Sequence, residues 1–331
     1  MKSYLTNRLQ LVQDDECLSS PKEIRYGVPQ GSILGPTLFL LYINDLISVT
    51  QTAHLILYAD DTTVLVGVDR NDLSPENSVN NELAKIHTWL NCNKLLLNIN
   101  KTQALLFNKP NEDLHNKITL HDQKIKILNE IKPLGINFEK ELNGKPHINV
   151  IRTKIARAVG MLSRAKNIIP NSKKRQIYFV LIQSHLSYGI ELWGSAGQTV
   201  LHPLEILQKK AVRLIANKPY NSPTTHLFKQ LQILKLKDLI FLSRAKLAYK
   251  AFHKNLPSNI SKHFLNRLPT ERRTRYSHWN LPVSTKSNKI QNARPSIYAP
   301  YIWNSIPINI RGLPTIQLFS RNLVKYLLSQ Y

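Results

Sequence analysis

With 331 residues, 42% of them hydrophobic, the chain is long enough for one large domain or two to three small ones and too apolar for wholesale disorder. Its two cysteines, Cys17 and Cys92, lie far apart with no CxxC spacing, which excludes a disulfide framework or a zinc finger and makes a reducing compartment the default. The net charge of +24 is uneven: residues 1–100 carry 7 Lys/Arg against 11 Asp/Glu, net −4, and residues 101–331 carry 38 against 10, net +28.

A mildly acidic block joined to a strongly basic one points to catalysis in the first and polyanion binding in the second, with nucleic acid favoured over an anionic membrane. Met1 to Arg8 lacks the apolar core of a secretory signal. The longest apolar run, Ile33 to Val49, is interrupted by Pro36, Asn44 and Asp45 and is too short and polar to span a bilayer. The expected setting is intracellular, nuclear and/or cytoplasmic, without a membrane partner.

In chain order, Tyr4 to Val12 reads as a helix end running into a strand, and Asp14-Asp15-Glu16 as a surface turn that makes a poor metal site. The Gly- and Pro-rich stretch Gly27 to Pro36 feeds an apolar helix through Leu38–Ile43, with Ser32 as its N-cap. Gly31 permits close backbone approach at a helix N-terminus, where phosphate-like charge is favoured. His54 to Val66 reads as a β-hairpin of two apolar flanks around Asp60 and Asp61. Adjacent carboxylates on such a tip either cap the turn or meet a hard cation; oxygen ligands on a rigid turn suit Mg²⁺.

Residues 71–93 form an amphipathic helix opened by Ser74 as cap and Pro75 at its first position, with Val79, Leu83, Ile86, Trp89 and Leu90 facing a core. Lys94 to Phe107 reads as strand–turn–strand with a basic tip at Lys101, and Ile118 to Ile127 as a hairpin around His121-Asp122-Gln123. Ile131 to Phe138 alternates like a half-buried strand. From 145, Ile148, Ile151, Ile155, Val159 and Leu162 mark one helix face, while Lys145, Arg152, Lys154, Arg157, Arg164 and Lys166 line its other sides.

Pro170-Asn171-Ser172 breaks that helix, and Lys173-Lys174-Arg175 opens the next, which runs through Ile177, Val180, Leu181 and Leu186. The basic trio reads as meeting phosphate or solvent, a nuclear signal being the other use of such a run. Leu204–Ile215 is a further basic helix, and 224–255 adds one or two more. Residues 256–297 read as extended, with Arg272, Arg273 and Arg275 available to nucleic acid. Tyr301 to Pro307 and a last helix, Leu318 to Leu328, follow.

Gly27-Val28-Pro29-Gln30-Gly31-Ser32-Ile33-Leu34-Gly35-Pro36, then Leu41-Tyr42-Ile43-Asn44-Asp45-Leu46, then Tyr58-Ala59-Asp60-Asp61, in that order and spacing, closely resemble the reverse transcriptase of non-LTR retrotransposons of the jockey, CR1 and LINE-like type. The resemblance implies an RNA-directed DNA polymerase of α+β class: a partial palm (antiparallel sheet with packed helices) over 1–140, a helical basic thumb over 141–255, and a C-terminal basic extension with a terminal helix over 256–331. It assigns Pro29, Gln30, Gly31 and Ser32 to nucleotide and template, and Asp60 and Asp61 to the metal, with Asp60 the firmer ligand. Lys101 falls near the leaving pyrophosphate, and Leu134 and Gly135 in the primer grip. Arg152, Lys154, Arg157, Arg164 and Lys166 fall along the nucleic-acid backbone. The implied cofactor is a two-ion Mg²⁺ site. The implied partners are an RNA template, RNA–DNA hybrid or primer DNA, deoxynucleoside triphosphates, and the N-terminal part of the polymerase.

The family places a further catalytic aspartate before the Pro-Gln-Gly segment, and residues 1–26 hold nothing like it. The expectation is therefore a fragment that is inactive alone, its two-metal site incomplete. The alternative is a non-catalytic nucleic-acid-binding remnant of a transposable element. An RNA-dependent RNA polymerase fits less well, since that group usually carries Gly where Ala59 stands; a maturase or telomerase fits less well still, given Tyr42 to Leu46. A Trp-Asn-Ser-Ile-Pro block like Trp303 to Pro307 also recurs in the C-terminal regions of these elements.

Overall fold

The computed structural model describes residues 2–69, 72, 74–107, 117–120, 123–257, 260–261 and 294–331. Their architecture is α+β, and their packing divides into two units, Met1–Leu128 and Asn129–Tyr331. Residues 129–140, grouped with the palm in the sequence reading, pack within the second unit.

In the first unit, α1 (Lys2–Leu5) leads into β1 (Arg8–Gln10), which pairs antiparallel with β4 (Lys22–Ile24). Between them β2 (Gln13–Asp14) and β3 (Cys17–Leu18) make a small exposed hairpin whose turn holds Asp15 and Glu16. Then come α2 (Leu34–Ile43), a 3₁₀ turn over Asn44–Ser48, and the hairpin of β5 (Ala53–Tyr58) and β6 (Asp61–Val66).

The amphipathic α3 (Pro75–Cys92) serves two small cores. Its Ile86 and Leu90 join Ile43 and Leu46, against which Leu55, Leu57 and Val64 of the hairpin pack. Two turns earlier, Val79 and Leu83 pack on Ile118, Leu120 and Ile125. The helix thus fixes the hairpin from beneath, as its 3.6-residue periodicity implies. Pro75 stands in the first turn, but the Ser74 side chain does not cap. Asp72 instead secures the approach to the helix: its carboxylate accepts from the Ser74 backbone N–H (2.9 Å) and the Ser78 hydroxyl (2.8 Å), which hold it below its usual pKa.

Lys94 to Phe107 is not two strands. Lys94 turns left-handed at φ +54, and the Leu95 N–H returns to the Leu90 carbonyl at 2.9 Å. A 3₁₀ turn over Ile99–Lys101 follows, closed by the Asn98 side chain, which accepts from Lys101 N–H at 3.2 Å. A local side-chain bond of this kind competes with strand pairing. What remains is β7 (Gln103–Ala104), paired parallel with β10 (Lys126–Ile127). The hairpin of β8 (Thr119–Leu120) and β9 (Gln123–Lys124) forms as expected, residues 121–122 of its connection lying outside the described residues.

The second unit opens with β11 (Glu130–Ile131) and β12 (Phe138–Glu139), an antiparallel pair around a 3₁₀ turn at Pro133–Gly135. The single strand expected over 131–138 is thus a reversal. Pro133 cannot donate to a ladder, and Leu134 (φ +48) and Gly135 (φ +82) turn the chain back. The helices that follow are α4 (Lys145–Ala165), α5 (Asn171–Tyr178), α6 (Ser184–Ser187), α7 (Ile190–Trp193), α8 (Gln198–Ile215), α9 (Thr225–Gln230), α10 (Leu236–Phe252), α11 (Pro295–Ser305), α12 (Ile308–Arg311) and α13 (Ile316–Ser329). A π-type turn, Phe179–Gln183, joins α5 to α6.

One core unites them: Ile148, Ile151, Ile155, Val159 and Leu162 of α4 share it with Tyr178, Trp193, Phe228, Tyr249, Trp303 and Phe319. α10 is central, packing against α6, α7, α8, α11 and α13. The Trp303 block and the terminal helix are therefore part of this core. Residues 262–293, with Arg272, Arg273 and Arg275, lie outside the described residues. Among the described residues no helix is long and apolar enough to cross a membrane.

The basic trio of α5 does not simply meet phosphate or solvent. Lys173 is exposed, but Lys174 is buried and donates from Nζ to Asn217 Oδ1 (2.7 Å) and Asn171 Oδ1 (3.1 Å). Arg175 Nε donates to the Leu231 carbonyl at 2.6 Å, its guanidinium 4.7 Å from the Phe179 ring centroid. Val180, expected on the apolar face, is exposed because the π-type turn shifts the helix phase there. Lys174→Ala is expected to lower stability by about 1–3 kcal/mol, since the buried ammonium's two charge-assisted hydrogen bonds to Asn217 and Asn171 are lost and its buried stem leaves a void. Thermal unfolding followed by circular dichroism reads it, and an unchanged melting temperature would contradict the assignment.

Candidate functional site

The hairpin's register runs from Ala53↔Val66 to Tyr58↔Asp61, which leaves Ala59 and Asp60 as a two-residue turn. Along β5, Ala53, Leu55 and Leu57 face the core while His54, Ile56 and Tyr58 are exposed. Asp61, opposite Tyr58, begins β6. Ala59 is left-handed at φ +51, a conformation costing a residue with a side chain roughly 1–2 kcal/mol. Burial of the hairpin's inner face holds the strained turn in place.

Asp60 and Asp61 are exposed, and neither makes an ion pair or side-chain hydrogen bond among the described residues. Two hard oxygen donors on a rigid turn fit a Mg²⁺ ion that keeps several waters. A two-ion clamp asks for more, and among the described residues no group of three His, Cys, Asp or Glu side chains comes together to hold a metal.

The Pro-Gln-Gly segment is a β-turn. The Pro29 carbonyl accepts from the Ser32 backbone N–H (3.3 Å) and hydroxyl (2.8 Å), and Gly31 supplies φ +82 at the third position, as a type II turn requires. The first turn of α2 is capped through Ser32 Oγ, which accepts from Gly35 N–H at 3.1 Å although the helix is assigned only from Leu34. Tyr4 Oη also meets Ser32 Oγ. Gly35 is buried, and a Cβ there would lie 2.9 Å from Ser32 Oγ and 3.4 Å from the Pro29 carbonyl. Arg8 of β1 braces the approach, donating to the carbonyls of Gly27 (2.6 Å) and Tyr26 (3.3 Å). The Ser32 hydroxyl is thus committed to the turn, while Pro29, Gln30 and Gly31 are exposed.

Lys101 closes the 3₁₀ turn before β7 with its side chain exposed. Among the described residues no hydrogen bond or ion pair links Lys101, the Asp60–Asp61 turn and the Pro29–Ser32 turn. In the second unit Leu134 and Gly135 occupy the tip of the β11–β12 hairpin. Arg152, Lys154, Arg157 and Arg164 of α4 and Lys166 at its C-cap are all exposed, and none forms an ion pair among the described residues. Between Glu141 and Glu191 the sequence has no acidic residue to neutralise them. Burial, then Lys154 and Lys132, push the His147 imidazole below its usual pKa, and burial and Lys154 do the same to His185. The side chains that meet the Leu134–Gly135 tip, above all Tyr188, escaped the sequence reading. The Tyr188-Gly189 and Trp193-Gly194 pairs were the signal available.

Residues 1–138 match the family model described as reverse transcriptase (RNA-dependent DNA polymerase). This part of the chain is similar to a reverse transcriptase segment. The RNA-directed DNA polymerase from mobile element jockey of Drosophila melanogaster is 30% identical over 254 residues, covering 72% of this chain and 27% of that protein. Its counterpart in Drosophila funebris is 29% identical over 274 residues, covering 78% and 29%. The probable RNA-directed DNA polymerase from transposon BS of Drosophila melanogaster is 27% identical over 253 residues, covering 72% and 28%. By these matches the chain is similar to a jockey-like reverse transcriptase of the non-LTR retrotransposon group, and it spans under a third of the length of these relatives.

Proposed function

We propose that this chain forms part of an RNA-directed DNA polymerase in which the Asp60–Asp61 turn holds the catalytic divalent metal. The observation that carries the reading is a pair of exposed carboxylates, without a side-chain partner among the described residues, on a strained hairpin tip inside the segment that matches the reverse transcriptase family. In this reading Pro29, Gln30 and Gly31 lie against nucleotide and template, with Ser32 holding their turn. Lys101 stabilises the departing pyrophosphate. Leu134 and Gly135 hold the primer, and the cations of α4 track the duplex backbone. The substrates are an RNA template with its primer and deoxynucleoside triphosphates.

Mg²⁺ would stabilise charge on the attacking and leaving oxygens when bound. The carboxylate that completes a two-ion clamp has no counterpart in residues 1–26. We therefore expect no synthesis from this chain alone, and synthesis from a chimera joining it to the N-terminal part of the Drosophila melanogaster jockey polymerase. Primer extension on an RNA template with Mg²⁺ tests both. A chimera that binds hybrid and makes no DNA would sink the catalytic reading.

A second reading, a nucleic-acid-binding remnant without catalysis, is favoured by the acid-free basic stretch between Glu141 and Glu191. Both readings share one expectation. Affinity for an RNA–DNA hybrid falls steeply with salt, and neutralising Arg152, Lys154, Arg157, Arg164 and Lys166 with glutamine flattens the log K–log salt slope by up to about four. A slope unchanged by the five substitutions would remove α4 from the interface.

A further inference from the structure

The tip at Leu134–Gly135 is held by the junction between α6 and α7. Tyr188 follows α6, and its hydroxyl donates to the Leu134 carbonyl at 2.5 Å. The Tyr188 backbone is fixed in turn, because the buried Trp193 donates from Nε1 to the Tyr188 carbonyl at 2.8 Å. Beside it Gly189 sits at φ +61, where a Cβ would fall 2.4 Å from Ile136 Cδ1. Gly135 lies under the tyrosine ring, its absent Cβ 3.7 Å from Tyr188 Cε1. Leu134, Gly135 and Ile136 are therefore each met by Tyr188 or Gly189, with glycines where the two segments come closest.

Two features separate this contact from ordinary packing. Leu134 is left-handed at φ +48, a conformation a leucine does not keep unaided, and the bond to its carbonyl favours that turn. Tyr188 is 55% exposed, so burial does not account for where its hydroxyl ends. That hydroxyl instead reaches the tip carbonyl, 54 residues away in sequence.

We infer that Tyr188 is a positioning residue: it sets the conformation of the Leu134–Gly135 tip and, through the tip, the placement of a primer 3′ end lying against it. The inference rests on the reading of that tip as the primer-holding element. Tyr188→Phe keeps the ring over Gly135 and removes only the hydroxyl. Gly189→Ala perturbs the same contact independently, through a strained backbone and the Ile136 methyl that must move aside.

The test uses the full chain and a recessed RNA–DNA hybrid carrying a fluorescent adenine analogue either at the primer 3′ end or at an internal position. Amide hydrogen exchange of residues 134–137 is read in parallel. Both variants are expected to exchange about fivefold faster at the tip, the range for one lost hydrogen bond. They are also expected to lose the terminal-label response about fivefold, while internally labelled duplex binds within a factor of about two of wild type. Faster tip exchange with an unchanged terminal response would overturn the inference and leave Tyr188 purely structural. Unchanged exchange in both variants would overturn it at the first step. A wild-type chain that binds duplex but gives no terminal response would overturn the primer-holding reading itself, and this inference with it.

Discussion

Asp60→Ala, introduced into the chimera with the jockey N-terminal part, is expected to reduce RNA-templated DNA synthesis by at least about a thousandfold. The size follows from how metal-dependent transfer works. Attacking and leaving oxygens carry developing charge, the ions that stabilise it are placed by a few carboxylates, and groups acting as one unit do not lose function in proportion. Asp60 is exposed, occupies a turn, and bonds to no side chain among the described residues, so its removal leaves the hairpin's inner face packed. Thermal stability should therefore move by less than about 0.5 kcal/mol, the usual range for a surface site. Asp60→Asn separates charge from shape and should be nearly as inactive. Primer extension under single-turnover conditions, at saturating Mg²⁺ and triphosphate, measures the effect. Retention of more than a tenth of wild-type synthesis in either variant would show that the metal is held elsewhere.

The hairpin was legible because its signal is local: period-two alternation on both flanks, an acidic break between, and a helix downstream with complementary spacing at Ile86 and Leu90. The helices α3 and α4 were legible for the same reason, each having an apolar stripe the chain must bury. The Lys94–Phe107 segment was not, because its apolar run looks like a strand, and only the Asn98 side chain, bonding the backbone three residues on, turns it into a 3₁₀ turn. At 131–138 the alternation was real, but Pro133 and the left-handed pair after it outweigh alternation. Lys174 failed differently. Nothing near it in sequence marks it as buried, since its better acceptor, Asn217, lies 43 residues away. Residue patterns report which face a helix buries; they do not report which distant amide receives a lysine. The same limit hid Tyr188. The placement of Asp60 and Asp61 as an exposed pair at the hairpin tip was readable, whereas the completion of any metal site depends on groups brought together from elsewhere.

Trp303→Ala is expected to destabilise the second unit by about 3–5 kcal/mol, the range for removing a large buried aromatic. Trp303 is fully buried. Its ring stacks on Phe252 at 4.7 Å between centroids and lies 6.2 Å from Phe319 and 6.3 Å from Tyr249. It therefore joins α10, α11 and α13, and α10 in turn packs against α6, α7 and α8. A cavity there loosens the surroundings of Tyr249, whose hydroxyl donates to the Leu313 carbonyl at 2.8 Å. Trp303→Phe keeps part of the stack and should lose less than half as much. Urea unfolding followed by helical circular dichroism reads both variants, and a midpoint within error of wild type for Trp303→Ala would show that the C-terminal helices are dispensable. The functional consequence follows from the shared core. The buried face of α4 lies in the cluster that contains Trp303, so the exposed cations on its other sides are presented only while that cluster is intact. Hybrid affinity of Trp303→Ala should fall with the unfolded fraction and recover on cooling toward the stability maximum, whereas loss of the α4 cations lowers affinity at every temperature without moving the unfolding midpoint.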